Sequence, residues 1–293
     1  SVRTAERVCI LANPASGSLP MDRRYPLLNT AAAVLGADLH GLDTDSADAF
    51  AQCAREQARR CDLLVVAGGD GSFSLVVNSI DLDETSLAFL PFGTGTALTH
   101  ALGYRGKLAV IAARIKHAAT RRCDLIHCNG RRKAFMASLG LDGTAIQLYE
   151  RFKQRGYRGL NAPVRAGLRA VLTAYRATGG RIRLDGEVRQ VRRLYSFMVV
   201  KQPYFGMGLK VMPEAQWADG RLHTRTITSG PAGIAAGLVT SATIGNRVGH
   251  YRNGREVCVS LEAPVALQID GEPGWTDSRF AFKVIPAALR LRF

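Results

Sequence analysis

Residues 63–80 read LLVVAGGDGSFSLVVNSI. Leu63 to Ala67 is a short unbroken apolar run, the pattern of a buried strand, and Phe73, Val76, Val77 and Ile80 then fall at i, i+3, i+4 and i+7, one face of a helix. Between them, Gly68, Gly69 and Gly71 allow backbone angles and close approaches that a Cβ forbids. Main-chain N–H groups at the start of the helix are therefore open to an anion such as a phosphate. Asp70 is the one charge in this turn. A carboxylate beside a phosphate is repulsive unless a divalent cation lies between them or the carboxylate orients a reacting group. The alternative is a tight turn whose Asp caps a helix beginning near Ser72.

Working outward, Leu87 to Pro91 (LAFLP) is a second buried strand, followed by Phe92-Gly93-Thr94-Gly95-Thr96 and a helix carrying Ala97, Leu98, Ala101 and Leu102. Near the C-terminus, Val265 to Ile269 is a strand that ends in Asp270-Gly271-Glu272. This series, GGDG, then LPxGTG, then a distant DGE, resembles the diacylglycerol kinase catalytic-domain family. Its superfamily includes bacterial lipid kinases, sphingosine kinases and ceramide kinases. The resemblance runs over nearly the whole chain in the same order.

Strands alternating with helices imply a mostly parallel sheet, with the ligand crevice outside the carboxyl ends of the strands. Val8 to Ala12 is the first strand, and Asn13-Pro14-Ala15-Ser16-Gly17 follows it, either contacting a ligand or making a turn. Leu28, Ala31, Ala32 and Leu35, then Ala47, Phe50, Ala51, Ala54 and Ala58, then Leu108, Ile111, Ala112 and Ile115 mark further helix faces. Beyond residues 121–129 the pattern turns mainly to strands, expected over 135–139, 194–200, 209–212, 222–227, 257–261, 265–269, 280–285 and 289–293. One helix is expected among them, with Val164, Leu168, Val171, Leu172 and Tyr175 on one face. The expected architecture is α/β: a three-layer nucleotide-binding domain over 1–126 and a β-sandwich-like lipid-substrate domain over 127–293. By resemblance, the last strand returns to the first domain.

The resemblance implies ATP and Mg2+ as cofactors, with the nucleotide between the domains and the lipid tail in the β-rich one. Nucleotide contacts are expected from Asn13, Pro14, Ser16, Gly17, Gly68, Gly69, Gly71, Ser72, Gly93, Thr94 and Gly95. Thr44 is a further candidate, although counting back from Asp48 puts Asp43 at the family's threonine. Met212 to Leu222 (MPEAQWADGRL) is similar to a family segment whose Asp helps build a magnesium site with main-chain oxygens, which is Asp219 here. Asp70 would share in organising the ion. Glu272 would be the general base, supported by Asp270. A second DGE, Asp185-Gly186-Glu187, lies between two short alternating runs and reads as a hairpin turn.

Three positions depart from the commonest bacterial pattern: Ser74 and Thr96 stand where Asn is usual, and Ala97 where many members have Asp. GTGTAL is similar to the GSGNAL form of sphingosine and ceramide kinases, and Asp142 occupies the region where sphingosine kinases place an acid near the head group. A structural Asp at a strand-to-helix junction is the alternative there. The reading is a lipid kinase acting on a diacylglycerol-like hydroxyl. A sphingoid-base or ceramide kinase stays open, as does a non-catalytic lipid- or nucleotide-binding homologue.

Composition agrees. The 293 residues suffice for two cores. The expectation is a cytoplasmic protein, since no apolar run reaches membrane-spanning length and the first residues lack the pattern of a signal peptide. The six cysteines have no metal-site spacing and read as buried free thiols. The net charge is +15, and residues 151–193 hold twelve Lys or Arg against Asp185 and Glu187. No nucleic-acid motif accompanies them. The expected partners are therefore a lipid substrate and, peripherally, an anionic membrane surface, with a solvated basic face as the alternative. A homodimer is compatible with this reading.

Overall fold

The computed structural model describes residues 6–92, 96–156, 165–167, 169, 173 and 175–293. The chain divides into one unit of Ser1–Cys123, Gly206–Gly208 and Ala287–Phe293, and a second of Asp124–Phe205 and Leu209–Pro286.

In the first unit, strands β1 (Val8–Ala12), β2 (Ala37–His40), β3 (Leu63–Gly68) and β4 (Ser86–Pro91) alternate with helices α1 (Met21–Leu35), α2 (Ala47–Ala58) and α3 (Asp70–Val77). Helices α4 (Ala97–Ala101) and α5 (Leu108–His117) follow. The strands are parallel in the order β4-β3-β1-β2. Pairing of Ala12 with Ala67 and of Gly68 with Pro91 sets the carboxyl ends of β1, β3 and β4 level. The loops after them therefore emerge along one edge. β3 is buried at every position, as its unbroken apolar run requires. The helix faces read from sequence are the faces that pack: Leu28, Ala31 and Leu35 of α1, Phe50, Ala51 and Ala54 of α2, Phe73, Val76 and Val77 of α3 are all buried. Each fully buried Leu, Val or Phe contributes about 1.5–3 kcal/mol, and Phe73 also meets Phe89 edge-on at 5.6 Å.

The second unit is built on β5 (Thr120–Cys128), which begins in the first unit, and on β6 (Arg132–Ala134), β7 (Met136–Gly140), helix α6 (Leu141–Gln154), β8 (Thr178–Leu184), β9 (Glu187–Leu194) and β10 (Ser196–Val200). A short hairpin, β11 (Tyr204–Phe205) with β12 (Leu209–Lys210), leads to β13 (Leu222–Ile227), helix α7 (Gly230–Thr243), β14 (His250–Gly254), β15 (Glu256–Ile269) and β16 (Glu272–Arg292). One layer runs β14-β13-β10-β7, then the second half of β15 and the start of β16. The first half of β15 pairs with β8, which pairs with β9. A register break between Ser260 and Val265 bends β15 so that it serves both. A core including Leu139, Phe197, Val199, Val257, Leu267, Phe280 and Phe282 fills this β-sandwich-like unit. The end of β16 lies parallel to β4 in the first unit, Leu291 beside Leu87.

The second unit departs from the sequence reading in three respects. The strands expected over 257–261 and 265–269 are one bent strand, as are those over 280–285 and 289–293. A single strand over 194–200 is instead the end of β9 and all of β10. Helix α7 was not expected, because a run as apolar as GPAGIAAGLVTSAT carries almost no amphipathic signal. The expected helix through Val164, Leu168, Val171 and Leu172 lies outside the described residues. Among the described residues no helix is long and apolar enough to cross a membrane. All six cysteines are free, four of them buried.

Candidate active site

In the first unit the level strand ends bring the β1 and β3 loops into direct contact. Ser16 Oγ lies 2.6 Å from Ser72 Oγ, and Asn13 Nδ2 donates to the same hydroxyl at 2.9 Å. Ala15 N–H donates to Asn13 Oδ1 at 3.0 Å, fixing the amide's orientation. The buried guanidinium of Arg24 donates to the carbonyls of Pro14 and Leu19 and holds the loop from below. Gly68 is required here: a Cβ would stand 2.7 Å from Ser72 Oγ and 3.0 Å from Ser16 Oγ. Gly17 has φ +79, with its added Cβ 3.4 Å from the Phe92 carbonyl. Gly69 is the N-cap of α3, so the first-turn amides beside this clamp have no partner inside the helix. Asn13, Ser16, Gly68 and Ser72 thus meet in one cluster, with Pro14, Gly17, Gly69 and Gly71 in the same two loops. Gly93, Thr94 and Gly95 lie outside the described residues. Thr44 is turned into its own bend, its hydroxyl donating to the Gly41 carbonyl at 2.6 Å.

Asp70 does not cap its own helix. It opens α3, and its carboxylate accepts from Ala97 N–H at 2.7 Å and Leu98 N–H at 3.1 Å, capping α4 from across the sheet edge. Burial raises this carboxyl above its usual range, and the two amides partly offset the rise. The first amides of α4 are therefore occupied by a protein carboxylate.

In the second unit the candidate acids also have protein partners. Lys201, with a side chain 0% exposed, sits 2.6 Å from Asp219 Oδ1 and 3.0 Å from Asp124 Oδ2, and donates to the Arg221 carbonyl at 2.5 Å. His223 Nε2 meets Asp219 Oδ2 at 2.8 Å. Burial alone would raise Asp219, but Lys201, the Arg221 N–H and His223 outweigh it and hold the carboxyl below its usual range. Burial holds His223 below the usual imidazole range despite Asp219. Asp270 Oδ1 accepts from the N–H groups of Phe135 and Met136, both at 3.0 Å. Lys201 N–H donates to the Phe135 carbonyl at 2.8 Å, so Asp219 and Asp270 are tied to the same piece of backbone.

The two DGE copies prove alike in backbone. Asp185 and Gly186 have φ +47 and +92, Asp270 and Gly271 have +51 and +83, and each pair makes a two-residue hairpin turn. Each Asp also accepts from two backbone amides of a neighbouring segment, Arg255 and Glu256 for Asp185. They differ at the glutamate: both are exposed, and Glu187 pairs with Arg252.

Asp70, Asp219 and Asp270 are all committed to amides or to Lys201, and among the described residues no group of three or more His, Cys, Asp or Glu could hold a metal. Asp219, expected beside a magnesium ion together with main-chain oxygens, pairs here with the Lys201 ammonium and His223. Lys201 and Asp124 were not read from the sequence, although each is a lone charge in an apolar run, MVVK and CDLI, which is the mark of a buried ion pair. Asp142, at the start of α6, receives the Ser196 hydroxyl, and burial pushes its carboxyl up to about 6.

Comparison with known proteins agrees with this fold. Residues 7–128 match the model of the diacylglycerol kinase catalytic domain, and residues 136–293 that of the YegS C-terminal NAD kinase beta sandwich-like domain. A diacylglycerol kinase of Staphylococcus saprophyticus is 26% identical over 278 residues, covering 92% of this chain and 90% of that protein. One of Staphylococcus aureus is 25% identical, covering 92% and 87%. The crystal structure of a diacylglycerol kinase from Bacillus anthracis superposes with a TM-score of 0.78 at 20% identity, covering 98% of this chain and 97% of that one. With both halves matched in order, the chain belongs to the diacylglycerol kinase family and is a lipid kinase.

Proposed function

We propose that this lipid kinase uses ATP to phosphorylate the free hydroxyl of a diacylglycerol-like lipid at a membrane surface. The observation that carries the reading is the Asn13–Ser16–Ser72 clamp, which holds glycine-bearing backbone open at the first turn of α3. Phosphoryl transfer asks mainly for positioning and charge neutralisation, and helix-start amides beside small hydroxyls supply both. Asp70 then acts as a positioning residue, fixing the start of α4 and with it the loop after β4. In the transfer, the bond from the γ-phosphorus to the β,γ-bridging oxygen breaks as the lipid oxygen bonds to phosphorus. The hydroxyl proton passes to Glu272, the exposed acid of its hairpin, and ADP leaves. Removing a general base of this kind slows turnover about 10²–10⁴-fold.

A second reading, binding without catalysis, is favoured by one observation: every acid named for the metal is already neutralised or hydrogen-bonded. Incubation with labelled ATP and a panel of diacylglycerol, sphingoid base and ceramide separates the readings. Label on diacylglycerol supports the proposal. Label confined to a sphingoid base or ceramide corrects the acceptor, and nucleotide binding with no labelled lipid supports the second reading.

A further inference from the structure

Helix α7 runs fourteen residues, GPAGIAAGLVTSAT, without a charge. Its inner face, Gly233, Ile234, Gly237 and Ser241, is buried. Its outer face carries Ala235, Leu238, Val239 and Ala242 at i, i+3, i+4 and i+7, all exposed. Leu238 is 52% and Val239 65% exposed, and Ile244 just beyond the helix is 67% exposed. An apolar stripe on a helix about 21 Å long is unusual on a free surface, because isolated surface helices place polar residues outward. At the amino end of α7 the surface is basic. A cleft of about 470 Å³ is lined by Arg189, Arg192 and Arg193 of β9, by Ser229, the N-cap of α7, and by Gly249 and His250. The three arginines are exposed. Burial, with Arg189 and Arg252 nearby, holds His250 below its usual range, in keeping with a positive local field. Glu187, paired with Arg252, is an acid at this edge. Beyond the carboxyl end of the helix, Arg247 is exposed.

We propose that the outer face of α7 and the β9 arginines form a docking surface for an anionic lipid bilayer, the helix lying in the interface with arginines on lipid phosphates. The pairing of a charge-free apolar helix with basic side chains at its ends is the complement of an acyl layer beneath anionic head groups. This proposal rests on the lipid-kinase reading and narrows the basic region 151–193 to the strand that lines this cleft with the N-cap of α7.

The test is sedimentation with phosphatidylcholine vesicles, with and without phosphatidylglycerol, using the wild type, the double variant Leu238→Glu/Val239→Glu and the triple variant Arg189→Ala/Arg192→Ala/Arg193→Ala. These are surface positions, and circular dichroism checks that the fold persists. The wild type is expected on anionic vesicles and not on neutral ones. Each arginine removed should weaken binding about fivefold, and the glutamates should weaken it more than tenfold, roughly the worth of a buried apolar side chain. Equal binding by all three proteins, or none by the wild type, overturns the proposal. So does a wild-type dimer, seen by light scattering, that the glutamates dissociate without changing vesicle binding, since the face then belongs to a second copy. Phosphorylation of a short-chain diacylglycerol dispersed as monomers is measured alongside. Its absence would sink the kinase reading, whereas a wild type that phosphorylates the monomeric lipid but does not bind anionic vesicles would sink only this surface.

Discussion

At the residue scale, the site depends on atoms that a single methyl group would displace. A Cβ on Gly68 would enter the Ser16–Ser72 contact, and overpacking of this kind costs about 1–3 kcal/mol. Gly68→Ala is therefore expected to lower stability in urea unfolding and to weaken ATP binding in the same protein. Unchanged values of both would remove Gly68 from the account. Asp142 gives a pH-dependent test. Its folded carboxyl lies at about 6 against an ordinary 3.8, so ionising it opposes folding. The penalty is present above the folded value, fades as the pH falls through it, and is gone once the unfolded group is protonated too. Asp142→Asn, which keeps an acceptor for Ser196, should stabilise the protein at about pH 7.5 by up to 2–3 kcal/mol and lose that advantage toward pH 4. A difference from wild type that is flat with pH would contradict the assignment. The readable residues were those whose chemistry is local. Asn13, Ser16 and Gly68 announce themselves by type at strand ends. Asp70 did not reveal its partner, because the amides of Ala97 and Leu98 come from another loop and only the level register of β3 and β4 brings them near.

At the element scale, parallel strands and amphipathic helices were legible because each satisfies its pattern locally, as in the LLVVA run of β3. The bent β15 was not, since the break after Ser260 is imposed by pairing first with β8 and then with β7. α7 was missed because a helix with apolar residues on both faces carries no period. The Lys201 pairing joins the end of β10 to the DG turn before β13. Lys201→Met should cost about 3–5 kcal/mol, because Asp124 would be left buried without its cation. The wild-type melting temperature should be the same with a chelator as with added magnesium. A clear drop with the chelator would restore the metal to this position.

At the scale of the whole molecule, the excess of +15 is a field that favours anionic partners, and the α7–β9 face gives it a place to act. Sequence alone conveyed the order of the motifs and hence the family. It could not separate the two DGE hairpins, and neither does their backbone. What distinguishes the later copy is that its Asp is pinned to Phe135 and Met136, backbone that Lys201 also holds, whereas Glu187 of the earlier copy pairs with Arg252. The chemistry is therefore tested most directly at Glu272. Transfer of labelled phosphate from ATP to diacylglycerol is measured for the wild type and for Glu272→Gln, with nucleotide binding as a control for the fold. The account predicts labelled lipid from the wild type and a rate about 10²–10⁴-fold lower in the variant, with ATP still bound. Equal rates in the two proteins would contradict it.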